Sequence, residues 1–483
     1  MNPYLWVLAG LAAGLVAISL ARLRRTHTGT DFLVAGRSLP AGVLIFTLLS
    51  SWIGAGSLFA GAENAFHNGM AALWMPAGGW AGLIIIYFVA PRARQFAQYT
   101  IPDLLETRFG PATRLMGMIA ILLAYTAITS YQFKGGGDIL ALTTGISPTQ
   151  GTAIIAGFVI AFTALAGMSS IAYLDVAIGL IATVGLLAAL PVLLAHAGGW
   201  TGVERALPAT HFEVLGNLSI WQALGYFLPV FLLMLGNQNM YQKFFSARSP
   251  RDARRAVVGW VIGTIILETV IVVLAVIGSA LYHGAPGLKP REIIAYTARH
   301  GLPVWLGAVL MGAIFAKVVS TGNNYLFSPA TNLVHDVYAR WIRPQAGERE
   351  ILIASRWMVV LLGVFALAQT FQASVLTVML YAYTIYSAAI TPVVMAAFFW
   401  KRATRQGAAI SVGLGIAVTV GWNVIPMIAG RGTGALAPVL HFMRGMDAVY
   451  PAVVISVLAL LIVSWCTPAP IPQQPQHPLY QTV

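Results

Sequence analysis

Hydrophobic residues run along this chain in long blocks separated by short polar or basic connections, and blocks of about 18 or more apolar residues read as membrane-crossing helices. Thirteen such blocks are counted, centred near residues 12, 53, 81, 123, 158, 183, 229, 270, 315, 360, 387, 416 and 457. An odd number puts the two termini on opposite sides. The stretch Met311 to Tyr338 breaks the pattern, because Lys317, Ser320, Thr321, Asn324 and Ser328 recur at helical spacing within an apolar background and give that helix one polar face. At 1.5 Å per residue, Lys317 sits roughly 20 Å in from the apolar start near Leu302, too deep for its side chain to snorkel to a surface. A lysine at that depth costs at least about 2.5 kcal/mol and marks a functional site whose partner has to be found. The competing account is a lysine paired off for packing alone.

Two blocks are interrupted by small and polar residues: SSWIGAGS at 50–57 in the second, and LGNQN at 235–239 in the seventh. Matched interruptions of this kind point to a midplane binding site in an inverted-repeat transporter. A broken helix frees backbone carbonyls, which a bilayer tolerates only where they line a cavity or hold an ion. Close helix packing on the glycines is the alternative. Asp175 opens the sixth block and is either a first-turn aspartate favoured by the helix dipole or a functional carboxylate. Lys134 and Asp138, four residues apart, are expected to neutralise each other. Glu63 and His67 share that spacing and Glu268 lies inside the eighth block; each either lines a vestibule or is satisfied by a neighbour.

Composition agrees with the block pattern. Of 483 residues, 58% are hydrophobic and 9% charged, with 48 glycines and a mean hydropathy of +0.79, far from a soluble domain. The formal charge of +13 does not point to nucleic acid, because the basic residues collect in short connections as the positive-inside rule requires. The basic stretches at 22–25, Arg92 to Arg114, 243–255, Arg340 to Arg349 and 401–405 all fall on one side if the amino terminus is outside. The expected arrangement is a multi-pass plasma-membrane protein, N-out and C-in, although Lys289, Arg291 and Arg299 blur the contrast with the opposite side. Cys466 is the single cysteine, which leaves no disulfide within the chain and no thiolate metal site. The first block, roughly Tyr4 to Leu20, lacks a preceding basic region and a small-residue cleavage site, and so reads as a retained helix. The Pro- and Gln-rich tail from 467 is expected to be disordered. No nucleophile elbow, HExxH, phosphate loop or metal-spaced histidine cluster is present in the sequence, so no enzyme, cofactor or metal is expected. The glycines at 135–137 read as a close-packing or kink site.

Seven motifs, in order along the chain, resemble the sodium:solute symporter family, whose members include sodium/galactose, sodium/proline and sodium/sialic-acid carriers. They are TDFLVAGRSLP (30–40), SSWIGAGS (50–57), YTIPDLLETRFG (99–110), the Asp175 region, NQNMYQK (237–243), the Ser320–Thr321 pair with DVY at 336–338, and AAFFWKRAT (396–404). The resemblance implies an all-α integral membrane protein with a leucine-transporter-like fold. Two inverted five-helix repeats, 39–196 and 218–400, are joined by an extracellular loop at 197–217. A first helix and cytoplasmic loop at 1–38 precede them, and two additional helices at 401–466 and the tail at 467–483 follow. It also implies an ion site: the carbonyls of Ser50 and Ile53, the hydroxyls of Ser320 and Thr321, and Asp175 nearby. The remaining family ligand is a carbonyl of a small residue, and Lys317 occupies that position here. Family sugar carriers use a glutamine and a glutamate where this chain has Ser57 and Pro76, so a sugar is not supported. Asn237 matches a retained asparagine and Asn239 stands where a gating tyrosine would be, which makes Ser57, Asn237 and Asn239 the candidate substrate contacts.

Lys317 changes the functional reading. An ammonium and a sodium ion carry the same charge, so the lysine can set its own cation among the ion-site oxygens, with Asp175 as counter-charge. The expected function is a secondary active transporter that moves a small polar organic solute by alternating access, sodium-independent or proton-coupled. Two alternatives stand beside it: conventional sodium symport with the lysine turned aside, and a membrane solute sensor. The expected partners are the solute and membrane lipid, with a proton or sodium as coupling ion.

Overall fold

The computed structural model describes residues 3–23, 35–96, 100–165, 168–370, 374–428 and 437–469. The tail beyond 469, part of the 22–25 connection and the start of the 30–40 motif lie outside the described residues. Among the described residues the regular structure is helical, with one isolated bridge, Leu39 with Ala247. Eleven helical runs are long and apolar enough to cross a membrane. The block near residue 12 forms α1 (Pro3–Leu23), and the block near 53 is divided between α2 (Ala41–Trp52) and the helical run that resumes at Gly56.

The block near 53 stops halfway for a visible reason. α2 ends where Ile53 turns extended (φ −81°, ψ 102°); the chain resumes as a π-helical turn at Gly56–Gly61 and as α3 (Ala62–Asn68). A Cβ on Gly54 would lie 2.5 Å from Thr321 Oγ1 and 2.8 Å from Gln132 Oε1, so only glycine lets three segments meet there. Gln132 accepts the freed amide of Ala55 at 2.8 Å. α4 (Trp74–Phe96) and the short α5 (Ile101–Phe109), which starts in a Thr100–Asp103 capping box, lead to α6 (Pro111–Thr144), α7 (Pro148–Leu165) and α8 (Met168–His196). The glycines at 135–137 bring α6 against Ala55, Ile155 and Thr152, which is the close packing expected of them.

The second interruption falls at Asn237, between α9 (Ile220–Gly236) and α10 (Gln238–Ser246). Then come α11 (Pro250–Tyr282), α12 (Val304–Asn332) with its π-helical continuation Leu333–Ile342, α13 (Glu348–Gln369), α14 (Val375–Ala389), α15 (Thr391–Phe399), α16 (Arg405–Ile428) and α17 (Val449–Cys466). α12 packs on α1, α6, α7 and α8, while α2 packs on α8, α11 and α12. Of the apolar window in the α12 run 83% is buried, against 28% in α16 and in α17, so α12 lies at the centre of the bundle and the last two helices at its rim. Large apolar side chains such as Ile84, Phe88, Val184 and Leu361 face outward, the surface a lipid environment favours.

Candidate functional site

The six candidate ion-site residues meet where the broken α2 crosses α8 and α12. Lys317 is 1% exposed, and its Nζ donates to Ser50 Oγ at 3.0 Å. The Ser50 hydroxyl in turn donates to the Asp175 backbone carbonyl at 3.0 Å. One turn beyond Lys317, Thr321 Oγ1 reaches the carbonyls of Ser50 and Ile53 at 2.8 and 3.2 Å, two acceptors freed by the helix break and served by one hydroxyl proton. Ser320 donates to the Asp175 carboxylate, which also accepts from Thr47 and from Asn324 Nδ2. Asp175 is therefore held by three neutral donors inside the bundle.

A second buried ammonium stands beside this group. Lys243 is 0% exposed and its Nζ donates to the Thr47 carbonyl at 2.8 Å, on the same α2 turn whose hydroxyl bonds Asp175. From sequence, Lys243 reads as the first residue of the basic connection 243–255. The structure instead puts it on α10, inside the protein. The signal for that was its position directly before Phe244 and Phe245, a pair that a solvated loop has no reason to carry.

Across the α2 break from Lys317 lies a small cavity lined by Trp52, Gly56, Ser57, Met75, Pro76, Val230, Glu268, Met379 and Tyr383. Its open volume of about 20 Å³ is on the scale of a single water. Ser57 donates to Glu268 Oε1 at 2.7 Å. Asn237 and Asn239 do not line this cavity. Asn237 caps α10 through the Met240 amide (3.1 Å), accepts from Tyr125 OH (2.9 Å) and donates to Tyr325 OH (3.2 Å). The Asn239 amide donates to Tyr125 OH at 3.1 Å. The second interruption is thus clasped by tyrosines of α6 and α12.

Other ionisable groups are satisfied away from both places. Asp138 accepts two bonds from Arg291, at 2.9 and 3.1 Å, because an arginine offers a planar fork that a lysine lacks, while the charges of Asp138 and Lys134 also attract each other. Asp103, His335 and Asp336 approach closely enough to suggest a metal centre, but the Arg114 guanidinium already bridges Asp103, Glu106 and Asp336 and supplies the positive charge there.

Comparison with known proteins fits this geometry. The family model described as the sodium:solute symporter family matches residues 32–415. The chain is 29% identical to the high-affinity proline transporter of Bacillus subtilis, with 92% of this chain and 94% of that protein covered. It is 25% identical to the sodium/proline symporter of Escherichia coli, with 85% and 86% covered. Among solved structures, a Na+-coupled sialic acid symporter in a substrate-bound outward-open state superposes with a TM-score of 0.81 at 16% identity, covering 98% of this chain and 100% of that one. Mhp1, a nucleobase-cation-symport-1 family transporter, gives 0.58 at 12% identity, covering 94% and 98%. At such identities the structural likeness speaks for the fold.

Proposed function

Because this chain belongs to the sodium:solute symporter family, we propose that it carries a small polar organic solute across the plasma membrane by alternating access, with the Lys317 ammonium standing in the family's sodium position. The observation that carries the proposal is the 3.0 Å contact of Lys317 Nζ with Ser50 Oγ, one helical turn from the hydroxyls of Ser320 and Thr321. A free sodium ion beside that ammonium is repelled. At about 4 Å the repulsion is roughly 4 kcal/mol at an effective dielectric of 20, or about a thousandfold in affinity. The cycle is then sodium-independent, and a proton is the remaining candidate for coupling. Relatives named for proline support a solute of amino-acid size. We assign the two inverted five-helix repeats to 39–196 and 218–400, each of which opens with a broken helix.

The test is uptake into proteoliposomes under separately imposed sodium and proton gradients, once a thermal-shift screen has identified a solute. The expected result is uptake indifferent to sodium at constant ionic strength. Strong sodium stimulation at fixed pH would overturn the role given to Lys317 and leave conventional sodium symport in its place.

A further inference from the structure

Glu268 is a carboxylate in the middle of a membrane-crossing helix, and the ion-site chemistry makes no use of it. It is 3% exposed. Its partners are the Ser57 hydroxyl at 2.7 Å and the Trp52 side chain, both neutral. The two buried lysines are directed elsewhere: Lys317 to Ser50 Oγ and Lys243 to the Thr47 carbonyl. Among the described residues neither is in ion-pair contact with Glu268; the charge of Lys317 acts on it only from a distance. A carboxylate held at such depth by neutral donors is expensive, and it stands at the wall of a cavity rather than in packed core. The rest of that wall is suited to a cation. The rings of Trp52 and Tyr383 stack with centroids 6.4 Å apart and 24° between planes, and Trp260 meets Trp52 edge-on at 6.5 Å. Aromatic faces attract organic cations, and the thioethers of Met75 and Met379 provide an adaptable apolar lining.

We infer that this cavity is the solute site and that it takes a solute bearing an ammonium group on a compact apolar body. The positive charge meets Glu268 beside Trp52 and Tyr383, and the apolar part lies against Met75 and Met379. The inference rests on reading the chain as a solute transporter and names the class of solute. A solute whose only charge is negative would be repelled by Glu268, and an uncharged polyol would leave the carboxylate without its counter-charge. The cavity as it stands has room for about one water, so the walls part when the solute binds.

The test is equilibrium binding and thermal shift on the purified protein, at fixed pH and ionic strength and with no gradient. The ammonium probes are L-proline, glycine betaine, choline and γ-aminobutyrate. The matched probes lacking the ammonium are tetrahydrofuran-2-carboxylate, butyrate and galactose. At least one ammonium solute is expected to bind and none of the matched set. Glu268→Gln is expected to weaken that binding by about ten- to a hundredfold, whereas Glu268→Asp, which keeps the charge, retains most of it. If Glu268→Gln does not fold, Trp52→Leu removes the aromatic face from the same contact and is expected to lower affinity in the same order of solutes. Binding by the matched set as tight as by the ammonium set, no binding by any ammonium probe, or unchanged affinity in Glu268→Gln would overturn the inference. A solute that binds through Glu268 but is never carried refutes the transport proposal and leaves this one standing. Carriage of an uncharged or anionic solute, unaffected by Glu268→Gln, does the reverse.

Discussion

Two lysines and one aspartate share the buried cluster where α2 meets α8, α10 and α12, and removing any one of them changes what the others must do. With Lys317→Ala the tethered cation is gone while the carbonyls of Ser50 and Ile53 and the hydroxyls of Ser320 and Thr321 remain. The expected outcome is uptake that now rises with sodium at constant ionic strength, measured side by side with the unaltered protein. Lys243→Met removes the other ammonium and leaves the Thr47 carbonyl without its donor. Breaking a buried charge arrangement on one side typically costs about 3–5 kcal/mol, so a large fall in melting temperature is expected, partly recovered by adding Asp175→Asn. A fall no greater than that of an exposed lysine variant such as Lys401→Met would show that Lys243 carries no such load. Lys317 was legible in the sequence because it lies far from both ends of an apolar block. Lys243 was not, because four arginines follow it within the next dozen residues and charge density there outweighs the two phenylalanines.

Each broken helix is held by a different device. The first is closed by Gly54 and Gln132, the second by Asn237 between Tyr125 and Tyr325. Asn237, a candidate solute contact, also gives its side chain to the cap and the two phenols. Asn237→Ala is therefore expected to lower stability by about 1 kcal/mol through the lost cap and to weaken solute binding through a loosened break. Tyr125→Phe removes a bond at the same atom, so the double variant is expected to fall short of the sum of the singles, as measured by a double-mutant cycle on melting temperature and affinity. Full additivity would place the two residues in separate roles. The breaks themselves could be read from glycine and polar clusters inside apolar runs. The partners that close them could not, because Gln132 lies 77 residues from Ala55 and Tyr125 lies 112 from Asn237. The same holds for Asp138, whose arginine comes from 153 residues away while the sequence offered only Lys134.

For the whole molecule, block spacing was enough to give a helical membrane protein, and the resemblance carried by seven motifs in order was enough to name the family and its fold. Which way the bundle faces rests on loop charge alone. An epitope at the amino terminus is expected to be reached by antibody on intact cells, and one inserted at the exposed Arg248, within the 243–255 connection, only after permeabilisation. The opposite pattern would reverse the assigned orientation. The polar face of α12 pointed to its place inside the bundle, but the peripheral position of α16 and α17 was not legible, because hydropathy does not distinguish burial in protein from contact with lipid.

If the Lys317 ammonium, covalently part of α12, takes the place of sodium as proposed, it sets a ceiling on how far the protein can concentrate its solute. A sodium ion released to the cytoplasm brings the energy of its gradient to every cycle, whereas a charge fixed to the chain returns to its starting point and brings none. If nothing else crosses, an uncharged or zwitterionic solute only equalises between the two sides. For each proton that accompanies it, the limit rises about tenfold per unit of pH difference, before any membrane potential is counted. The steady-state ratio of internal to external solute, measured as the pH difference is varied at zero potential, is expected to follow that slope and to be the same in sodium-free and sodium-rich medium.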